Sequence, residues 1–150
     1  MPDTILDKIK ADHREASALL DEIIETEDPK ARSEKFATLR DELKAHNEAE
    51  EKVLYARMKT KGGEDEELAL EGEEEHDVAD KVLAMLETYK RRDTKRWTVR
   101  AKVLKELLDH HIEEEEEDVF EHARDLFDAA TLQKMGEEFE TAKERIEQQQ

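Results

Sequence analysis

Apolar residues recur every three or four positions along four long stretches of the chain, at about 5–24, 36–54, 68–86 and 97–120. This spacing is typical of amphipathic helices, and the alternation typical of strands does not occur. Segments rich in turn and capping residues separate the stretches, namely Asp28-Pro29, Lys61-Gly62-Gly63 and Arg92-Asp93-Thr94. Because connections this short make neighbouring helices antiparallel, the pattern predicts an all-α, up-down-up-down four-helix bundle.

A further stretch has apolar residues at Leu132, Met135 and Phe139. It predicts a short C-terminal accessory helix that packs on the bundle. We therefore expect a single domain over residues 1–150, with the bundle at about 3–125 and the accessory helix at about 129–147.

The charge of the chain narrows the classes of partner. Its 150 residues include 25 Lys and Arg against 43 Asp and Glu, a formal net charge of -18. Binding to nucleic acids or to anionic lipid headgroups depends on Lys and Arg, so we expect neither a nucleic-acid partner nor a membrane partner. The absence of Cys excludes disulfides, thiolate catalysis, zinc-finger sites and iron–sulfur ligation. The sequence has neither a signal-peptide pattern nor a long apolar run, and we predict a cytoplasmic protein.

Polar residues interrupt the apolar stripes at positions that the helical register turns toward the core. The first and third helices each contribute one His, and the second and fourth each contribute a His followed four residues later by a Glu. These positions are His13, His46, Glu50, His76, His111 and Glu115.

The fourth helix also contains a second pair with the same spacing, His110 and Glu114. The stripe that continues from His111 meets apolar residues in both directions, whereas the stripe that continues from His110 and Glu114 meets Asp118. In addition, the motif around His46 is repeated around His111 at a constant offset of 65 positions. Both observations favour His111 as the inward residue.

The six inward residues are expected at one height in the bundle. His13 lies about 14 residues before the first break and His46 about 16 residues after it, or roughly 21 and 24 Å of helix. Burying six unpaired polar side chains would cost as much as the roughly 5–15 kcal/mol by which a domain of this size is stable. Imidazoles and carboxylates without sulfur suit iron, manganese or zinc, and a carboxylate can bridge two ions. The pattern therefore predicts a di-metal centre.

The same motifs resemble those of a known family. The chain contains Asp12-His13, His46-x3-Glu50-Glu51, Glu75-His76 and His111-x3-Glu115-Glu116. This combination resembles the hemerythrin-like (HHE cation-binding) family over nearly the whole chain. The resemblance implies a four-helix bundle with two iron ions, joined by an oxo or hydroxo bridge, that bind dioxygen or a related small oxidant. By motif position it implies that the iron ligands are His13, His46, Glu50, His76, His111 and Glu115.

One position departs from the pattern of oxygen-carrying hemerythrins, which have two His four residues apart on the third helix. Here the residue four positions before His76 is Gly72. We expect one ion to lack a protein ligand unless Glu73, Glu74 or a water supplies it. The Gly also favours a more open site.

Three functions are compatible with these residues. The leading hypothesis is a di-iron protein that binds, senses or stores dioxygen or a similar small oxidant. The second is a di-iron oxidoreductase that acts on peroxide, oxygen or nitric oxide at an open position beside Gly72. The third is an iron-responsive helical module that acts through a protein partner.

The remaining polar residues are expected to have structural or surface roles. We predict that His110 and His122 face outward, and that residues 64–67 and the Glu residues flanking Glu115 form solvated faces. Tyr55 and Phe120 are predicted to cap the apolar layer beyond the metals. Asp12 is a candidate hydrogen-bond partner for a ligand His.

Overall fold

The computed structural model of the protein describes residues 3–150 and contains five helices. Helix α1 spans Ile5–Glu25 and α3 spans Gly63–Thr88. Helix α2 runs through Pro29–Glu50, a π-helical turn at Glu51–Tyr55 and a last α-helical turn at Ala56–Lys59. Helix α4 is built in the same way from Lys95–Glu114, Glu115–Val119 and Phe120–Leu126, and α5 spans Ala129–Gln148. No strand occurs within residues 3–150, so the predicted all-α bundle with an additional C-terminal helix is confirmed.

Local chemistry explains where the helices begin. At the start of α1, Thr4 and Asp7 cap each other: the Thr4 N–H donates to Asp7 Oδ2 at 3.1 Å, and the Asp7 N–H donates to Thr4 Oγ1 at 3.4 Å. Thr94, in the third predicted break, caps α4 because its hydroxyl oxygen accepts a hydrogen bond from the Trp97 N–H. Between α2 and α3 the chain turns at Gly62 and Gly63, whose φ angles of 70° and 55° are those that favour glycine.

Two apolar clusters fill the core, one on each side of the layer that holds the inward His and Glu residues. The Trp97 cluster, which includes Phe36, lies toward the α1–α2 and α3–α4 connections. The Phe120 cluster, which includes Leu54, lies at the other end and receives Phe139 from α5. Helix α5 packs against α1 and α2, so it covers one side of the polar layer. None of the helices in the described part of the chain is both long and apolar enough to cross a membrane.

A buried arginine ties the helix ends together beside the Trp97 cluster. Arg32 on α2 donates from Nε to the Ile23 carbonyl at 2.9 Å and from its terminal nitrogens to the Ile24 and Arg92 carbonyls at 2.8 and 2.7 Å. Its guanidinium lies 5.0 Å from the centre of the Trp97 ring. These bonds satisfy carbonyls at the C-terminal end of α1 and in the α3–α4 connection.

Candidate metal centre

The structure brings the six inward polar residues together in one buried layer. One group of potential ligand atoms comes from His13, His46, Glu50 and Glu115, and all of them lie within 4.8 Å of one another. A second group, equally close, combines the same two Glu residues with His76 and His111. Glu50 and Glu115 are thus shared by two groups of paired imidazoles, and this set of nitrogen and oxygen donors suits metal cations.

The inner atoms of this layer approach one another without hydrogen bonding. His13 Nε2 lies 3.2 Å from Glu115 Oε1, and His76 Nε2 lies 3.1 Å from Glu50 Oε1. Within residues 3–150, the buried side-chain nitrogen and oxygen atoms that lack a hydrogen-bond partner all belong to the six inward residues. They are Nε2 of His13, His46, His76 and His111, both carboxylate oxygens of Glu50, and Oε1 of Glu115. Buried polar atoms without partners are costly, so this donor set fits a bound cation.

The outer nitrogen of each of these imidazoles has a carboxylate partner. His46 Nδ1 lies 2.8 Å from an Asp12 oxygen and His13 Nδ1 lies 2.8 Å from a Glu116 oxygen. His76 pairs with Glu51 and His111 pairs with Glu75, both at 2.7 Å. Since an ionised carboxylate only accepts, Nδ1 donates its proton in each pair and the lone pair on Nε2 faces the centre.

These four carboxylates, Asp12, Glu51, Glu75 and Glu116, which we call the outer carboxylates, form a closed cycle around the bundle. Each one is the immediate sequence neighbour of an inward residue, and each binds the imidazole of an adjacent helix. Helix α1 thus orients the His of α2, α2 that of α3, α3 that of α4, and α4 that of α1. Every helix of the bundle contributes to the centre and also positions a neighbour's imidazole.

Burial and mutual contact shift the proton affinities of the inward groups in opposite directions. Burial, together with the charge of Glu115, raises the pKa of Glu50 well above its ordinary value. Burial opposes ionisation of Glu115 too, but the close approach of the His13 imidazole and the charge of His111 hold the pKa of Glu115 well below its ordinary value. Burial lowers the pKa of His46 to about 4, although Asp12 acts in the opposite direction. Because ligand groups bind metal in their deprotonated form, a metal ion at these groups would compete with protons.

Tyr55 occupies the space that Gly72 leaves open. A Cβ atom at position 72 would lie 2.5 Å from both Cζ and the hydroxyl oxygen of Tyr55. The Tyr55 hydroxyl donates to Glu115 Oε2, and its ring stacks on His76 with centroids 5.5 Å apart. The expectation of an open position beside Gly72 is therefore corrected, because a fully buried phenol fills it.

Sequence reasoning assigned Tyr55 only to the apolar cap and missed its contact with the centre. One signal was available in the internal repeat, in which Tyr55 corresponds to Phe120 at the offset of 65. The two residues proposed to replace the missing ligand do not approach that position: Glu73 forms an ion pair with Lys59 at 2.5 Å, and Glu74 is exposed.

Some of the residues expected at the surface are exposed, and others are half-buried and contact neighbouring side chains. His110 is exposed, as predicted, with Nε2 3.3 Å from Glu114. His122 is half-buried, and its Nδ1 lies 2.8 Å from Asp65 within the acidic segment expected to be only solvated. The prediction for Glu116 is wrong, since this half-buried side chain is one of the outer carboxylates.

Helices α2 and α4, which each supply both a His and a Glu, widen into a π-helical turn at the polar layer. The Ala56 N–H donates to the Glu51 carbonyl, and the Phe120 N–H donates to the Glu115 carbonyl, each five residues back. Such turns are frequent at functional sites. Here they begin at Glu51 and Glu115, directly where the helices supply their carboxylates.

A small cavity connects the polar layer with the surface between α1, α2 and α5. It has a volume of about 90 Å³, and its walls include Asp12, His46 and Leu43. Lys143 of α5 lies at this opening and donates to Asp12 at 2.8 and 2.9 Å. The volume admits molecules of a few atoms.

Comparison with known proteins agrees with this geometry. The family model described as "Hemerythrin HHE cation binding domain" matches residues 4–123. A curated protein of Nostoc sp. (strain PCC 7120 / SAG 25.82 / UTEX 2576), named DNA nickase, is 29% identical over 146 residues, which make up 96% of this chain and 40% of that protein. The chain thus spans less than half the length of this relative. No solved structure matches the chain.

The family match extends from the start of α1 to within α4 and includes all six inward residues. The chain therefore belongs to the hemerythrin HHE cation-binding family, as the sequence motifs indicated. Helix α5 lies beyond the matched residues.

Proposed function

We propose that this member of the hemerythrin family binds two iron ions through His13, His46, Glu50, His76, His111 and Glu115, and uses them to bind dioxygen or a related small oxidant. The observation that carries the proposal is the set of buried, unpartnered nitrogen and oxygen atoms on these six residues. They divide into two groups of two imidazoles and two shared carboxylates. Nitrogen and oxygen ligands of this kind suit iron, and the same set could accept manganese or zinc.

A pair of iron ions would supply redox chemistry and coordination positions for a small ligand, and the protein residues would control access and orientation. The outer carboxylates hold the four imidazoles with Nε2 toward the centre. Buried apolar side chains, including Leu20, Leu43, Leu83 and Leu108, exclude bulk water on the side of the Trp97 cluster. The cavity of about 90 Å³ favours a diatomic or similarly small ligand.

Tyr55 bears on the choice between reversible binding and turnover. Its ring and hydroxyl fill the position that would otherwise be open beside Gly72, which removes the geometric argument for an oxidoreductase. Its hydroxyl also lies beside Glu115, where it can hold a proton. We therefore favour ligand binding over turnover of peroxide, oxygen or nitric oxide.

The test begins with metal content. Protein produced with iron should contain close to two ions per chain and should show absorption that changes on reduction and on anaerobic titration with oxygen. His111→Ala should lose at least one ion, whereas its exposed neighbour provides a matched control, because His110→Ala should retain both. Steady-state consumption of oxygen or peroxide would favour the oxidoreductase, and protein that takes up no iron under any of these conditions would refute the proposal.

The name of the Nostoc relative makes DNA nicking a second activity to measure. The relative is similar over 96% of this chain, but this chain corresponds to only 40% of it. The net charge of -18 opposes binding to a phosphate backbone. We expect the iron-loaded protein to leave supercoiled plasmid intact, and metal-dependent conversion of the plasmid to the nicked form would contradict this.

A further inference from the structure

The large apolar side chains that are exposed in the described part of the chain all lie on α3 and α4. Three of them are on α3 at positions 70, 78 and 85, which fall within an arc of about 80° at 100° per residue. The other two are one turn apart on α4. Their exposed fractions are 46% for Leu70, 44% for Val78, 44% for Met85, 55% for Val99 and 44% for Val103.

These residues lie on two adjacent helices and define a surface that we call the α3–α4 face. The antiparallel helices α3 and α4 pack against each other, and a groove between them is lined by Val78 and the half-buried Leu107. Exposed apolar side chains that gather on one face of a protein are typical of interaction sites.

The two ends of the α3–α4 face carry opposite charge. At the end that holds Leu70, Glu71 and Glu74 line the groove, and residues 64–77 contain nine Asp and Glu with no Lys or Arg. At the end that holds Val99, Arg96 is exposed and Arg100 is half-buried. Residues 90–105 contain eight Lys and Arg and one acidic residue, in a chain whose net charge is -18.

We infer that the α3–α4 face binds a second copy of this chain, antiparallel, around a two-fold axis near Val78. Leu70 lies eight residues before Val78 and Met85 lies seven residues after it, or about 12 and 10 Å along the helix. A two-fold axis at Val78 therefore sets Leu70 of one copy against Met85 of the other. The same rotation sets each acidic end against a basic end, so the face is complementary to itself.

The charge pattern favours a second copy over a nucleic acid or an anionic membrane. A polyanion could contact the basic end, but the acidic end of the same face would repel it. Duplex DNA would also leave the apolar side chains of this face exposed. A second copy satisfies both charged ends and covers these side chains in one arrangement.

The first experiment is sedimentation equilibrium of the full chain over a concentration series. The wild-type protein should form a species of twice the 17.5 kDa chain mass. Val78→Asp places two like charges at the axis and should weaken association by about tenfold or more. Ala18→Asp introduces the same charge at an exposed position of α1 and should leave the dissociation constant unchanged. Circular dichroism would verify that both variants remain helical.

A charge-reversal pair tests the antiparallel arrangement directly. Arg96→Glu with Arg100→Glu reverses the basic end, and Glu71→Arg with Glu74→Arg reverses the acidic end. Each double variant alone should be mainly monomeric, since like charges would then meet at both ends of the face. An equimolar mixture should recover a dimer, because opposite charges meet again in the heterodimer.

Three results would overturn the inference. The first is a wild-type protein that stays monomeric at about 1 mM, since a Kd weaker than this would leave the face without a second copy. The second is a dimer that Val78→Asp leaves intact, because its interface would then lie elsewhere. The third is a mixture of charge-reversed variants that fails to associate, or a monomer whose basic end instead binds duplex DNA.

Discussion

Gly72→Ala should destabilise the protein, although the same change stabilises most helices. At an ordinary helix position, replacing Gly with Ala is favourable by about 1 kcal/mol, since Ala loses less backbone entropy. At position 72 the new methyl group would lie 2.5 Å from Tyr55 Cζ and 2.7 Å from Tyr55 Cε2. The ring cannot swing aside easily, because it is fully buried, stacks on His76 and donates to Glu115.

The loss of unfolding free energy can be estimated from the groups that must shift to accommodate the new methyl group. Forcing one extra methyl group into a packed site costs about 1–3 kcal/mol. If Tyr55 shifts away from Glu115, a hydrogen bond to an ionised buried carboxylate is lost as well, which costs about 1.5–3 kcal/mol. After the favourable helix propensity is included, we expect the free energy of unfolding to fall by about 2–4 kcal/mol. For a chain of this length, this corresponds to a midpoint about 5–15 °C lower.

The assay is urea unfolding of metal-free protein, followed by circular dichroism, in a double-mutant cycle with Tyr55→Leu. In the Tyr55→Leu background the ring is absent, so Gly72→Ala should become neutral or stabilising by up to about 1 kcal/mol. The coupling between the two positions, rather than either single change, measures their contact. Stabilisation by Gly72→Ala in the presence of Tyr55 would refute this reasoning.

Three further changes separate stability from metal binding. Glu50→Met should stabilise the metal-free protein by about 1–3 kcal/mol, because it removes an unpartnered buried carboxyl group, and should abolish the gain in melting temperature on adding iron. Lys143→Met should weaken iron binding about tenfold in a chelator competition, since Lys143 holds Asp12 in place, whereas the exposed Lys134→Met on the same helix should not. Arg32→Met should lower the free energy of urea unfolding by about 2–4 kcal/mol, because several carbonyls lose their hydrogen-bond donor. The iron affinity of this variant should be unchanged.

The helices and the inward positions could be predicted from the sequence because both depend on local periodicity. The breaks at Asp28-Pro29 and Gly62-Gly63 coincide with the observed starts of α2 at Pro29 and of α3 at Gly63. The choice of His111 over His110 also agrees with the structure, in which His111 is buried and His110 is exposed. A single helical register was sufficient for this, since only one of the two stripes continues into apolar residues.

The contacts between helices could not be predicted in this way. Glu116 stands in a run of five Glu residues, and nothing local distinguishes it from its exposed neighbour Glu117. Its role depends on His13, which lies 103 residues earlier in the chain. The contact between Tyr55 and Gly72 is of the same kind. The role of this glycine in packing can be recognised only when the residue that fills the space beside it is known.

The division of the core explains how the fold can tolerate its polar layer. The Trp97 cluster and the Phe120 cluster each bury apolar side chains from several helices, independently of the residues between them. The hydrophobic contribution to stability therefore comes from both sides of the layer and does not require a cation. The outer carboxylates hold the imidazoles in place even before a cation binds. A site arranged in this way needs little reorganisation when a cation binds. The free energy gained when the unpartnered atoms contact the cation therefore contributes to metal affinity and is not spent on reordering the core.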